Sequence, residues 1–186
     1  AQVRSVDWMS ESGTPRPWPV SAGRPLLVAL ASLTLVVCLA ALGLRFVHLV
    51  ADFPSGINWS GDLYTDEGWY SNSAIVHQLT GQWYLEGDYN PVVYLPVFQL
   101  VQALAFRTLG LSLAAARVAV ALSSLLVCAL AFLLVWRMTD RWTGLAALLL
   151  LSTNFTLYAF SRLAILELPM TAFALAALFL AGSGHR

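Results

Sequence analysis

Long apolar runs separated by short polar segments dominate this chain. A helix needs about 20 apolar residues to cross the hydrocarbon core of a bilayer. Four runs reach or approach that length, and they predict membrane helices over residues 25–45, 113–136, 142–161 and 168–184. The first run is too long, and too far from the N-terminus, for a simple signal-peptide core, so we expect it to be retained. The pattern predicts an all-α, polytopic integral membrane protein with about four spanning helices.

A polar and aromatic segment, residues 46–112, separates the first two of these helices. Apolar or aromatic residues follow helical spacing there, at Trp69, Val76, Leu79 and Trp83. Because tryptophan and tyrosine settle at the membrane–water interface, this spacing predicts a juxtamembrane helix over residues 66–80. The segment 91–107 is apolar but short, with two prolines and two glutamines. By itself it could span the membrane or lie along its surface as an amphipathic helix.

The path of segment 91–107 decides the side on which each acidic residue lies. If the segment spans, Asp66 and Glu167 fall on opposite sides of the membrane. If it does not, both fall on one side, and the turn 137–141 falls with the N-terminal tail, which carries three arginines. The second arrangement gathers arginines on one face, as the positive-inside rule expects. We therefore predict that segment 91–107 is a second juxtamembrane helix.

This topology, in a protein of the cell membrane, predicts on which side of the membrane the remaining segments lie. Residues 1–24 are expected to form a disordered cytoplasmic tail, since they are rich in proline and polar residues. Residues 46–112 form an extracytoplasmic loop, and residues 162–167 form a short outer loop.

Composition agrees with a membrane location and excludes some partners. Hydrophobic residues make up 59% of the chain and charged residues 11%, whereas a soluble domain carries about a quarter charged residues. The net charge is zero, which gives no indication of a nucleic-acid partner. Cys38 and Cys128 lie within apolar runs, where neither disulfide nor metal-ligand spacing occurs.

Two acidic sites carry the candidate chemistry, the pair Asp66–Glu67 and the single Glu167. Carboxylates are costly at bilayer depth, so those beside apolar spans tend to face the interface or a polar cavity. On one side of the membrane they could line a shared catalytic cavity. The alternative for the pair is a structural one, because carboxylates in a first helical turn complement the helix dipole by about 0.3–1 kcal/mol. Glu167 could likewise be an interfacial residue that starts a helix.

The order of these elements resembles a known family. The matching residues, in chain order, are Asp66-Glu67, Asn90-Pro91 through Phe106, Ala116-Arg117-Val118, and Ser161-Arg162-Leu163 through Glu167-Leu168-Pro169. Over residues 26–182 the chain resembles the N-terminal portion of GT-C glycosyltransferases of the family 39 type, the branch that contains protein O-mannosyltransferases and lipid A aminoarabinose transferases. Two features depart from the family pattern. Glu167 stands where this branch usually has aspartate, and Pro91 and Pro96 are separated rather than adjacent.

The resemblance implies transfer of a sugar from a polyprenyl-phosphate carrier to an acceptor on the extracytoplasmic face, with inversion at the anomeric carbon. It implies that Asp66 is the catalytic base, that Glu67 supports it and that Glu167 orients the acceptor. Arg117 and Arg162 would hold the donor phosphate, although both could simply snorkel from helix ends. The acceptor would be a lipid, glycan or protein, with membrane lipid around the helices. No cofactor is certain, and a divalent metal, used by some GT-C branches, is not expected.

Two other functions fit the pattern of spans and acidic residues. The chain could be a non-catalytic membrane scaffold subunit, or a fragment of a transporter. Transport is disfavoured because the predicted spans carry no ionisable group at mid-depth. Since members of the resembled family have many more spans, we expect this chain to be part of a longer protein and to be inactive by itself.

Overall fold

The computed structural model describes residues 24–51, 66–87 and 96–182, and these ranges are helical with no strand. The described ranges contain seven helices, α1 (Arg24–Leu44), α2 (Asp66–Thr80), α3 (Pro96–Leu109), α4 (Leu113–Met138), α5 (Arg141–Thr153), α6 (Phe155–Phe160) and α7 (Glu167–Ala181). The all-α prediction is confirmed. The predicted tail, residues 1–24, lies outside the described residues except for Arg24, as do parts of the loop 46–112.

Two of the described helices, α1 over Pro25–Leu44 and α4, are long and apolar enough to cross a membrane. At 1.5 Å per residue, the 26 residues of α4 extend about 39 Å. Helix α7 is apolar but has only 15 residues. The number of spanning helices therefore stays a prediction.

The predicted helix over residues 142–161 is broken at Asn154. The side chain of Asn154 accepts a hydrogen bond of 2.8 Å from the Leu157 amide and caps α6, while its extended ψ of 122° interrupts the helix. The break leaves carbonyls without helical partners at the end of α5. Arg45 donates from Nη2 to two of them, those of Leu151 and Ser152, at 3.3 Å each. A side chain from outside α5 thus stabilises the interruption.

Helix α4 is the centre of the packing, in contact with α3, α5 and α7, while α1 packs on α5 and α2 packs on α3. Gly144 of α5 lies so close to α4 that an added Cβ would meet the Cβ of Trp136 at 3.1 Å. At the far end of α4, Arg137 donates to the carbonyl of Gly182, just after α7. Helices α4 and α7 therefore run parallel, and α5 with α6, which lies between them in the chain, runs back in the opposite direction.

Helix α3 joins α2 through two buried glutamines. Gln99 accepts a hydrogen bond of 3.0 Å from the Ala74 amide and donates one of 2.7 Å to the Tyr70 carbonyl. Those two backbone groups are each other's partners in a regular α-helix, so Gln99 clasps α2 at one turn. Gln102 donates to Ser71 Oγ at 3.0 Å. With 14 residues, α3 is shorter than the roughly 20 that a span requires.

Asp140 caps α5, and we expect this cap to make the stability of the protein depend on pH. Its carboxylate accepts bonds from the Trp142 and Thr143 amides and from the Thr143 hydroxyl. The bonds from Thr143, the side-chain bond above all, lower the pKa of Asp140. The stabilisation is therefore complete above the unfolded pKa of about 3.9 and is lost as pH falls through the lower folded pKa.

The Asp140→Asn variant tests this, because asparagine caps a helix but does not titrate. Between about pH 5 and pH 2.5, we expect the melting temperature of the wild type to fall by more than that of the variant. Only the wild-type carboxylate takes up a proton as the pH falls. Equal pH dependence in the two proteins would contradict this assignment.

Candidate functional site

The two neighbouring carboxylates at the start of α2 have opposite environments. Asp66, the first residue of the helix, is exposed to solvent. Glu67 is 8% exposed and points into the protein. Successive residues of a helix lie about 100° apart around its axis, so one can face the interior while the other faces outward.

Glu67 forms a bidentate ion pair with Arg117 of α4. Its Oε1 accepts from Arg117 Nε at 2.8 Å, and its Oε2 accepts from Arg117 Nη2 at 2.5 Å. Oε1 also accepts from the amide of Ala164 at 2.6 Å. Parallel bonds of this kind fix orientation as well as distance.

Arg117 extends this network to the turn after α1. Its Nη1 donates to the carbonyl of Leu49 at 2.7 Å and to that of Ala51 at 3.5 Å. We call the group Glu67, Arg117, Leu49, Ala51 and Ala164 the clamp. It connects the turn after α1, the starts of α2 and α4, and the turn before α7. These chain segments therefore meet at one end of the helix bundle.

Arg162 lies at the same end and binds the last carbonyls of α1 and the turn that follows. It is 5% exposed and donates to the carbonyls of Leu44, Val47 and His48 at 3.3, 2.6 and 2.5 Å. Leu44 is the last residue of α1, and a cation at the C-terminal end of a helix complements the helix dipole. His48 has a φ of 50°, in the left-handed region, where its carbonyl meets Arg162. Arg162 thus holds the turn after α1.

Tyr70 brings the two predicted acidic sites together. It follows Asp66 by four residues, which places both on one face of α2. Its ring packs against the buried cluster that contains Leu168, the residue after Glu167. Burial raises the pKa of Tyr70, and the negative charges of Glu167 and then Asp66 raise it further. Glu167 and Asp66 are both exposed, and the charges of both act on the same phenol.

Removing either charge is expected to lower the pKa of Tyr70. We expect Glu167→Gln to cause the larger decrease and Asp66→Asn the smaller one, in the order of their electrostatic effects. Ultraviolet difference titration against Tyr70→Phe isolates this phenol from the other tyrosines. Glu86→Gln, an exposed charge in the described loop after α2, is the matched control. An unchanged Tyr70 titration in both test variants would separate the two acidic sites.

The structure places each predicted site residue at this end of the molecule, with differences in burial that the sequence did not indicate. Glu67, Arg117 and Arg162 are buried and bonded to the protein, and Asp66 and Glu167 are exposed. Sequence reasoning treated Tyr70 only as an interfacial aromatic, although its spacing of four from Asp66 could have indicated a shared face. Within the ranges that the structure describes, no three His, Cys, Asp or Glu side chains form a group that could hold a metal.

Comparison with known proteins places this geometry in a family. A family model described as dolichyl-phosphate-mannose-protein mannosyltransferase matches residues 75–185, more than half of the chain. The match includes Arg117, Arg162 and Glu167 and begins after Asp66 and Glu67. No curated protein and no solved structure gives a match. With its long apolar helices, the chain is a membrane protein of the GT-C glycosyltransferase type, and it belongs to the dolichyl-phosphate-mannose-protein mannosyltransferase family.

Proposed function

We propose that this chain carries the catalytic carboxylates of an enzyme that transfers a sugar from a polyprenyl-phosphate carrier to an acceptor on the extracytoplasmic face. The observation that supports this most is the contrast between Asp66 and Glu67. The clamp holds Glu67 in the protein, and thereby fixes the start of α2. Asp66 is left exposed, beside Tyr70 and Glu167, where it can meet a substrate.

The proposed reaction is a single displacement at the anomeric carbon. The Asp66 carboxylate takes the proton of the acceptor hydroxyl while the oxygen of that hydroxyl forms a bond to the anomeric carbon. The bond from the same carbon to the phosphate oxygen breaks on the opposite face, and its electron pair leaves with the carrier phosphate. The configuration is therefore inverted. General-base help of this kind is typically worth about 10²–10⁴-fold. Glu167 orients the acceptor from the other side of Tyr70.

The two arginines act in this proposal through position and charge. All three nitrogens of the Arg117 guanidinium bond to Glu67 or to carbonyls, so we assign Arg117 to positioning Asp66 through the clamp. Arg162 binds the turn after α1. Glu67 balances the charge of Arg117, whereas Arg162 bonds to neutral carbonyls, and its charge acts on a nearby leaving phosphate without direct contact. The part of Arg162 in donor binding is thus electrostatic.

Family membership favours a specific pair of substrates, a polyprenyl-phosphate mannose and a protein hydroxyl. The test uses full-length protein in sealed proteoliposomes with radiolabelled donor and a peptide rich in serine and threonine. We expect label on the peptide in inverted linkage. Label that crosses the membrane without joining the peptide would indicate transport. A protein that neither labels the peptide nor moves the label would indicate a scaffold. Either outcome would overturn the proposal.

We expect the catalytic end to face outward. Glu86 lies on the loop after α2 and Thr139 lies in the turn between α4 and α5, and both are exposed. Single cysteines at these positions, with Cys38 and Cys128 replaced by alanine, are treated with a membrane-impermeant thiol reagent. Intact cells should label position 86 and not 139, while permeabilised cells should label both. Labelling of position 139 alone in intact cells would contradict this prediction and indicate the opposite orientation.

A further inference from the structure

A crevice between α1 and α5 lies at the end of the bundle opposite the catalytic residues. It comprises two cavities, of about 600 and 220 Å³, whose walls share Leu27, Ala31, Trp142 and Leu145. We call this the α1–α5 crevice. The larger cavity falls within the range of about 300–1,000 Å³ typical of small-molecule sites. Its walls are almost entirely hydrocarbon, and the hydroxyl of Thr34, one of the few polar groups, already donates to the Leu30 carbonyl.

The shape of the crevice suits a single hydrocarbon chain. Its lining runs along α5 from Arg141 to Leu149. At 1.5 Å per residue this distance is about 12 Å. A hydrocarbon chain that lies parallel to the helices would contact leucine and alanine side chains on both walls.

A cation stands at the mouth of the crevice. Arg141 is exposed, and its guanidinium carbon lies 5.1 Å from the centre of the Trp142 ring. The neighbouring Asp140 carboxylate is occupied by the Trp142 amide and by Thr143, and Arg141 has no ion pair with a described residue.

We propose that the α1–α5 crevice binds one anionic phospholipid, with its phosphate at Arg141 and one acyl chain between α1 and α5. Charge complementarity selects this occupant, since an apolar cleft with a cation at its mouth matches a chain with an anionic head. Trp142 at the mouth is of the type that settles at headgroup depth. The lipid belongs to the leaflet on the side of the α4–α5 turn. This site is separate from sugar transfer.

Native mass spectrometry of the full-length protein, released from detergent with equal phosphatidylglycerol and phosphatidylcholine of matched chains, tests the proposal. We expect one phosphatidylglycerol to be retained in preference. Arg141→Gln should lower that preference by about fivefold, the contribution expected from one arginine near an anionic headgroup. Arg107→Gln, which removes an exposed arginine from α3, should leave it unchanged.

A second variant tests the crevice itself. Ala31→Trp fills the space that the two cavities share and should abolish retention, while Ala40→Trp on an exposed face of α1 should not. Equal retention of both lipids by the wild type would overturn the proposal. So would retention that survives both Arg141→Gln and Ala31→Trp. A wild type that retains no lipid would show that another part of the protein fills the crevice, and would also overturn it.

Discussion

Glu67→Gln is expected to destabilise the protein by about 3–5 kcal/mol, because it leaves the Arg117 guanidinium buried without its counter-charge. The side chains of the pair are 9% and 1% exposed, so water cannot replace the lost carboxylate. The Ala164 amide would also lose its charged acceptor. Transfer activity should fall with stability, since the start of α2 and the turn before α7 are no longer held together. Thermal unfolding of the full-length protein in detergent measures this loss, with Glu86→Gln as the exposed control.

The double variant Glu67→Gln, Arg117→Gln distinguishes a coupled pair from two independent contacts. Removal of both charges is expected to cost less than the sum of the two single changes, since neither partner is left as an unpaired buried charge. Additive effects would show that the two side chains act separately. If Glu67→Gln unfolds at the same temperature as the wild type, the clamp does not stabilise the fold.

Arg117→Lys separates the positioning role from a direct role in donor binding. Lysine keeps the charge and loses the planar fork that bonds to both oxygens of Glu67. If Arg117 holds the clamp, the variant should unfold at a lower temperature even without donor. If Arg117 instead binds the donor phosphate, unfolding should be unchanged and only the donor Kd should rise.

The sequence was a good guide to the helices because their signals are local. Apolar runs of membrane length mark α1 and α4, and the acidic first turn marks α2. Helix α7 begins at Glu167, one residue before the predicted start at residue 168, and an acidic residue with Pro169 suits a first helical turn. Each of these features depends on residues within one or two turns of each other, so no knowledge of the fold was needed.

Features that depend on distant residues could not be read in the same way. The local sequence does not show which of Asp66 and Glu67 is buried, because the partner of Glu67 is Arg117, fifty residues further on. The break at Asn154 is similar. An asparagine in an apolar run does not by itself predict an interruption, and the Arg45 bonds that support this one come from more than a hundred residues away.

The glutamines of α3 have a role that the sequence did not indicate. Their polarity was one reason to predict that the segment does not span, and this stays a prediction. The structure adds that Gln99 and Gln102 are buried against α2, where they bond to its backbone and to Ser71. A helix that presents such groups to another helix is held beside it. The pairing of the two helices required their three-dimensional arrangement.

Asp66→Asn is expected to lower turnover by at least ~10²-fold with little change in stability. The amide keeps the shape of the side chain but cannot take the proton of the acceptor. Asp66 is exposed and lies outside the clamp, so the fold does not depend on its charge. Asp66→Glu should retain only a small fraction of activity, because an added methylene displaces the carboxylate from near-attack geometry. Steady-state transfer by full-length protein from labelled donor to peptide provides the comparison, again with Glu86→Gln as control.

The central claim is that Asp66 removes the acceptor proton during sugar transfer. Single-turnover measurement tests it most directly, with full-length enzyme first saturated with labelled polyprenyl-phosphate sugar and then mixed with acceptor. For Asp66→Asn we predict an unchanged Kd for the donor and a chemical step slower by at least ~10²-fold. A chemical step at the wild-type rate would contradict the claim and would leave Asp66 as the first residue of a helix.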